Sequence, residues 1–322
     1  MHRSIWLSLA LGGLVACSPT VEEVVVEEIV ETQDDAPAPG TDISIFALDW
    51  IDGAPVLGER TGGISRPGYD NQPYFTPDGT ALLYASDDDS GNTDIWSLDL
   101  ASGETSNLTN TPDESEYSPR YTPGGNHLSY IHQPPEGYGG QVFVAGQDGS
   151  EPQAFMEYGP LGYYAFNQAM NQLVVFALSE EANTLQHVDL RNAREAVTVL
   201  SDHQGRALYS SPIDDGVFFT QSREDEGFSV YHLNFASKAT REHFDLPGLS
   251  QDYAVFSADI DSDHVIAFIA AGDGALYYRS LDDLDWTMIA DLDVLGITGT
   301  TRMAVNDDAS RIAIVLIEAQ TP

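Results

Sequence analysis

Pro73-Tyr74-Phe75-Thr76-Pro77-Asp78-Gly79, then Leu82-Leu83-Tyr84-Ala85-Ser86, then Asp94-Ile95-Trp96-Ser97-Leu98-Asp99: these three runs decide the fold. The first is extended and ends in a turn, because Pro77 presets φ, Asp78 bonds its own backbone and Gly79 takes φ > 0. The second and third are built of β-formers and are separated by the polar loop Asp87-Asp88-Asp89-Ser90-Gly91-Asn92. A turn at Ala101-Ser102-Gly103 leads to a fourth extended run over 104–109. Four short strands, each bounded by turn residues, form one antiparallel meander. No apolar stripe at i, i+3, i+4, i+7 in this unit is long enough for a helix.

The unit recurs. An apolar residue opening the second strand returns at Leu82, Leu128, Leu173, Val217, Val265 and Ile312, with gaps of 46, 45, 44, 48 and 47. An aromatic stands seven residues ahead of the first three, at Phe75, Tyr121 and Phe166. Self-similarity at this period means a propeller or a solenoid. The remainder separates the two. The Asp or Asn that ends the third strand lies 16 or 17 residues after its anchor, at Asp99, Asp189, Asn234 and Asp282. After Ile312 that residue would fall near 329, beyond Pro322, whereas Ile45-Phe46-Ala47-Leu48-Asp49 has no anchor before it. It reads like Ile95–Asp99, and Asp49 to Gly53 matches Asp99 to Gly103. The N-terminal segment is therefore expected to supply strands three and four of a sixth sheet whose strands one and two come from the C-terminal segment. The expectation is an all-β, six-bladed β-propeller of four-stranded antiparallel blades over 43–322, its ring closed between the chain ends and its sheet edges short and protected.

The string Pro73–Gly79, with Leu83-Tyr84-Ala85-Ser86 and Asp94–Asp99, resembles the TolB-type, WD-like propeller repeat, P-x-F-S-P-D-G followed by a hydrophobic strand and D-I-[WY]-x-[ML]-D. Pro119-Arg120-Tyr121-Thr122-Pro123-Gly124-Gly125 matches its first half, and the later repeats match in spacing alone. The resemblance implies the fold. It implies several roles, since such propellers serve as binding platforms, as accessory domains of serine peptidases and occasionally as lyases. TolB proper carries an α/β domain ahead of its propeller, so a Tol–Pal role is not expected of this chain.

Residues 1–16 read as a targeting segment, with His2 and Arg3 before an apolar run from Ile5 to Val15. Leu14-Val15-Ala16-Cys17 resembles a bacterial lipobox, which makes Cys17, the single cysteine of the chain, the lipidation site. Ser18 after it implies outer-membrane sorting by the rule for Gram-negative lipoproteins, and several acyl chains make a stable anchor where one is marginal. Residues 17–42 then form an acidic tether with Pro37 and Pro39, a composition that stays extended. No disulfide can form within the chain.

There are 51 acidic and 13 basic residues, a formal charge of −38. Nucleic-acid binding needs basic patches and is excluded. Docking on anionic lipid surfaces is disfavoured, which leaves the anchor as the membrane contact. Such acidity keeps a chain soluble and suits a saline medium or a basic partner. A monomer is expected.

The candidate binding face is the one carrying the loops between strands two and three and the connections between blades. On it fall Tyr69, Asp70, Asp87, Asp88, Asp89, Glu116, Tyr117, Tyr138 and Tyr163, and it is expected to be the more electronegative face. Tyrosine at loops and strand starts suits a partner interface. The expected partner is a cell-envelope protein, peptide or glycan. No cofactor is expected; the one ion the acidic loops leave open is Ca²⁺, although Asp87–Asp94 does not meet the EF-hand pattern. No G-x-S-x-G, P-loop or H-E-x-x-H occurs. The alternative is a metal-dependent lyase or lactonase acting in the central channel through Asp70, Glu116, His132 and His203.

Overall fold

A computed structural model describes residues 40–87, 91–136, 139–191, 197–260 and 263–318. Cys17, the tether as far as residue 39, Asp88, Asp89 and Tyr138 lie outside the described residues, whereas Thr41 and Asp42, read as the end of the tether, already belong to the propeller's first strand and pair with Ile317 and Leu316. The described secondary structure is entirely β, in six four-stranded antiparallel sheets.

The first blade runs outward through β3 (Asp70–Phe75), β4 (Ala81–Asp87), β5 (Thr93–Asp99) and β6 (Thr105–Asn107). The second comprises β7 (Ser115–Tyr121), β8 (Leu128–Gln133), β9 (Gln141–Ala145) and β10 (Gln153–Ala154). The third is β11 (Leu161–Phe166), β12 (Gln172–Ala177), β13 (Thr184–Asp189) and β14 (Val197–Ser201). The fourth is β15 (Gln204–Ser210), β16 (Gly216–Ser222), β17 (Phe228–Asn234) and β18 (Ala239–Asp245). The fifth is β19 (Tyr253–Ile260), β20 (Asp263–Gly272), β21 (Ala275–Ser280) and β22 (Thr287–Asp291). The sixth joins β23 (Met303–Val305) and β24 (Arg311–Ile317) to β1 (Thr41–Ile51) and β2 (Ala54–Ile64), in the order β2-β1-β24-β23.

The chain ends thus close the ring as the leftover half-repeat requires. Along the seam β1 pairs with β24 in unbroken register from Thr41↔Ile317 to Ala47↔Arg311. Trp50 reaches across it, its Nε1 donating to Ala309 O at 2.8 Å. The likeness of Asp49–Gly53 to Asp99–Gly103 does not extend to the turn. β1 continues to Ile51, and Asp52 (φ 51°) with Gly53 (φ 79°) makes a two-residue turn with both φ positive, the geometry that an Asp-Gly pair favours.

The core consists of layers between blades. Alternate residues of a strand face opposite sides, so a strand clamped between two neighbours is apolar on both. On β4, Leu82 and Tyr84 pack with Ile43, Ile45 and Val315 of the sixth blade, while Leu83 and Ala85 pack with Leu128 and Tyr130 of the second. On β20, Phe268 and Ala270 face the fourth blade and Ala267 and Ile269 the sixth. Each such buried Leu, Ile or Phe contributes about 1.5–3 kcal/mol relative to exposure. Six clusters of this kind, one per blade junction, are formed by the described residues.

Candidate functional site: the central channel and its mouth

The first strand of each blade lines the axis, and all six enter from the same face. Two of them carry a left-handed residue before a proline. Gln72 and Ser118, at equivalent positions and each followed by proline, both have φ 56°. Ladder pairing breaks there, between Asn71 and Tyr74 in β3 and between Tyr117 and Arg120 in β7. A bulge re-aims the side chains around it, and non-glycine residues in this region cost of order 1–3 kcal/mol. The two blades are tied at this point, because Ser118 N donates to Gln72 Oε1 at 2.6 Å.

Inside lies a cavity of about 270 Å³ bounded by first-strand residues. Its charge is unlike that of the molecule. Among the described residues, three of the chain's 13 basic residues line it, Arg120, Arg206 and Arg302, against two of the 51 acids, Asp252 and Asp307. The arginines come from the second, fourth and sixth blades, so they alternate around the axis. Arg206 is neutralised, its fork donating to both oxygens of Asp252. Arg302 has neutral partners: it donates to Asn71 Oδ1 at 2.8 Å and to the Tyr163 hydroxyl at 2.6 Å. Arg120 donates to Leu208 O at 3.3 Å and lies over the Tyr164 ring at 5.0 Å. Its Nε is buried without a hydrogen-bond partner among the described residues. Tyr209, with its phenol buried among Asp252 and all three guanidiniums, has its pKa pushed up to about 12 by that burial.

Three of the tyrosines read from sequence converge at the mouth. Tyr69 and Tyr117 meet edge to face at 6.4 Å, and Tyr163 holds Arg302. Burial raises the Tyr69 pKa to about 12 against the opposing charge of Arg302, with the Tyr163 and Tyr117 phenols also in its surroundings. The carboxylates fare differently. Asp70 and Glu116 occupy the same repeat slot, and both are about 1% exposed rather than displayed on a surface. The connections between blades cover this slot and hydrogen-bond into it. Arg66 N and the Arg66 guanidinium donate to Asp70, together with the Ser86 hydroxyl. Thr111 Oγ1 donates to Glu116 Oε2 at 2.7 Å. Burial raises the pKa of both, that of Glu116 to about 7 with the Asp94 carboxylate adding to the effect. Asp87 is engaged too, accepting from Tyr69 N at 2.7 Å.

The channel quartet of Asp70, Glu116, His132 and His203 is dispersed. None of the four lines the cavity, and His203 sits exposed beside Asp202. Glu116 and His132 instead join Glu114, with ligand atoms within 4.8 Å of one another, a donor set of the kind a divalent ion uses. His132 Nε2 lies 3.3 Å from Glu114, its ring stacks on Phe143 at 4.3 Å, and burial lowers its pKa. At the end of the acidic run, Asp94 belongs to β5, where it is buried and accepts from Asn107, Thr109 and Thr111.

The cavity arginines are the residues that sequence reasoning passed over. The available signal was scarcity: a chain with 13 basic residues places one in, or one residue before, the first strand of every second blade.

The chain matches no family model and no curated protein. Its fold is shared with solved propellers. A TolB-like protein of Agrobacterium tumefaciens is 15% identical, with a TM-score of 0.53 over 88% of this chain and 100% of the other. TolB of Acinetobacter baumannii is 9% identical, with a TM-score of 0.50 over 85% of this chain and 63% of that one. A chain of the nidogen/laminin complex is 12% identical, with a TM-score of 0.51 over 77% and 93%. The architecture is the TolB-type six-bladed propeller.

Proposed function

We propose that this chain is a non-catalytic binding module of the bacterial cell envelope, anchored to the outer membrane through lipidated Cys17, which takes a protein, peptide or glycan at the mouth of its propeller channel. The observation that carries the reading is the convergence of Tyr69, Tyr117 and Tyr163 with Arg302 at one end of the axis. Tyrosine and arginine dominate the energetics of interfaces because each buries a large area and keeps a polar tip. A lyase or lactonase in the channel draws no support from the cavity lining, which carries no histidine among the described residues.

The test is capture of envelope components by the purified, immobilised chain. Truncating a central interface tyrosine commonly costs 2 kcal/mol or more, about thirtyfold in affinity. Tyr117→Ala is therefore expected to lose the captured species, while Asp99→Asn, at the exposed end of β5, retains it. Equal capture by the wild type and Tyr117→Ala overturns the reading. Cys17→Ser is expected to move the protein from the membrane to the soluble fraction, and a variant that stays with the membrane removes the anchor from the proposal.

A further inference from the structure

We infer that the central cavity is a carboxylate-binding site, in which Arg302 and Arg120 receive the acidic group of a slender ligand. The inference rests on the binding-module reading and gives its ligand a chemistry. The argument begins with charge. In a chain of net −38, unselective placement would fill a polar cavity with aspartate and glutamate, yet arginines outnumber acids along this one. Asp252 is consumed by Arg206, which leaves two guanidiniums, whose hydrogen bonds all go to neutral groups, against the one remaining carboxylate of the lining, Asp307. A guanidinium in a confined site is stabilised chiefly by charge-assisted hydrogen bonds to an anion, and neutral acceptors replace these poorly.

Depth adds to this. Arg302, one residue before β23, shares its repeat slot with Gln72, Ser118 and Tyr163, at the entry end. Arg120 lies two residues further along its strand, at the level of Tyr74 and Tyr209. An anion entering past Tyr163 meets the first guanidinium and then the second, whose Nε has a hydrogen still to donate. The left-handed Gln72 and Ser118 lie at the level of the first, which places two strained residues where a ligand would pass.

Size and field select the anion. About 270 Å³ is at or below the small end of ligand pockets, roughly 300–1,000 Å³, and admits a small molecule or a chain terminus. The planar fork of arginine matches carboxylate and phosphate alike. An approaching ligand, however, crosses the field of a strongly acidic molecule, whose repulsion doubles for a dianion and is screened only beyond about 8 Å at physiological salt. A single carboxylate meets half the barrier of a phosphate dianion.

The experiment titrates the full chain by calorimetry with the tripeptide Ala-Ala-Ala, its C-terminal amide, glucuronate and inorganic phosphate. Binding of the free-acid peptide or of glucuronate, with the amide silent, is expected. Whichever of the two binds identifies the source as a chain terminus or a sugar acid. Arg302→Gln and Arg120→Gln are each expected to weaken that binding at least tenfold, and Arg302→Lys, which keeps charge without the fork, to restore part of it. Arg302 contacts neutral groups, so its removal strands no buried charge, and the Arg302 variants carry the test if Arg120→Gln does not fold. Silence of both carboxylates at millimolar concentration, equal binding of acid and amide, phosphate binding more tightly than either carboxylate, or wild-type affinity in the folded arginine variants overturns the inference. None of these results depends on capture through Tyr117. Lost carboxylate binding with intact Tyr117-dependent capture fails this inference alone, and the converse fails the module reading alone.

Discussion

Replacing Glu116 by glutamine isolates a single proton in the covered slot above the second blade. The carboxyl is about 1% exposed, accepts from Thr111, and shares a hydrogen bond with Asp94. Burial moves its pKa from the ordinary 4.5 to about 7. The sign follows from proton counting. Between those values the folded chain keeps a proton that the unfolded chain has released, so stability falls as pH rises, by about 1.4 kcal/mol per pH unit. The stabilising contribution is complete below about pH 4.5 and gone above about 7, a total of about 3 kcal/mol. Glutamine presents the same shape, donates an N–H toward Asp94 and does not ionise. The difference in unfolding free energy between variant and wild type is expected to be near zero at pH 4.5 and about 3 kcal/mol in favour of Glu116→Gln at pH 8. Urea unfolding at half-unit pH steps measures it. The difference must be taken, because His243, whose pKa burial depresses from 6.5 to about 4, loses stability in the opposite direction, as pH falls through much of the same window. A difference that does not vary with pH, or a wild type more stable than the variant at pH 8, refutes the argument that the slot holds its acid by burial.

Three further outcomes are expected. Ile45, 2% exposed at the seam, should cost about 2–5 kcal/mol when cut to alanine, and deletion of 43–60 should abolish cooperative unfolding, whereas deletion of 18–38 should leave the thermal midpoint unchanged by calorimetry. Asp252→Asn leaves Arg206 without its countercharge beside the cavity and should destabilise the fold by about 3 kcal/mol in denaturant titrations, with Arg206→Met/Asp252→Leu recovering much of the loss. Ca²⁺ and EDTA should leave the wild-type melting temperature unchanged; a shift of several degrees that disappears in Glu114→Gln would instead place a divalent ion at Glu114, Glu116 and His132.

The fold was legible because it is written redundantly. Leu82, Leu128, Leu173, Val217, Val265 and Ile312 all stand within the first three residues of second strands, and the missing half of the last repeat is found at Ile45. Patterning of this kind survives loss of spelling, since any apolar side chain suits a strand sandwiched between two blades. The site was partly legible. Tyr69, Tyr117 and Tyr163 were found by their place at strand starts, and they meet at the mouth. Asp70 and Glu116 share that place in the repeat, but the segments covering them belong to the connections between blades, whose paths no periodicity describes. Arg120, Arg206 and Arg302 stand 8, 11 and 10 residues ahead of their anchors. Bulges at the start of the first strands shift the register there, so equal offsets no longer mean equal directions, and three residues aimed at one axis look unrelated along the chain.

The seam bears on the order in which the molecule can be made. Thr41 and Ile317, partners in the sixth sheet, are separated by nearly the whole described chain. Five blades can assemble from local hairpins as they emerge, but β1 and β2 are the first of the described strands to be produced and the last to be satisfied. Until Arg311–Ile317 arrives, β1 offers an unpaired edge with Ile43 and Ile45 uncovered, the kind of template on which foreign strands add. A chain that folds as it is made therefore keeps this template open until β24 has emerged. Any factor that shields β1 and β2 until then would matter more to its yield than one acting on the other five blades.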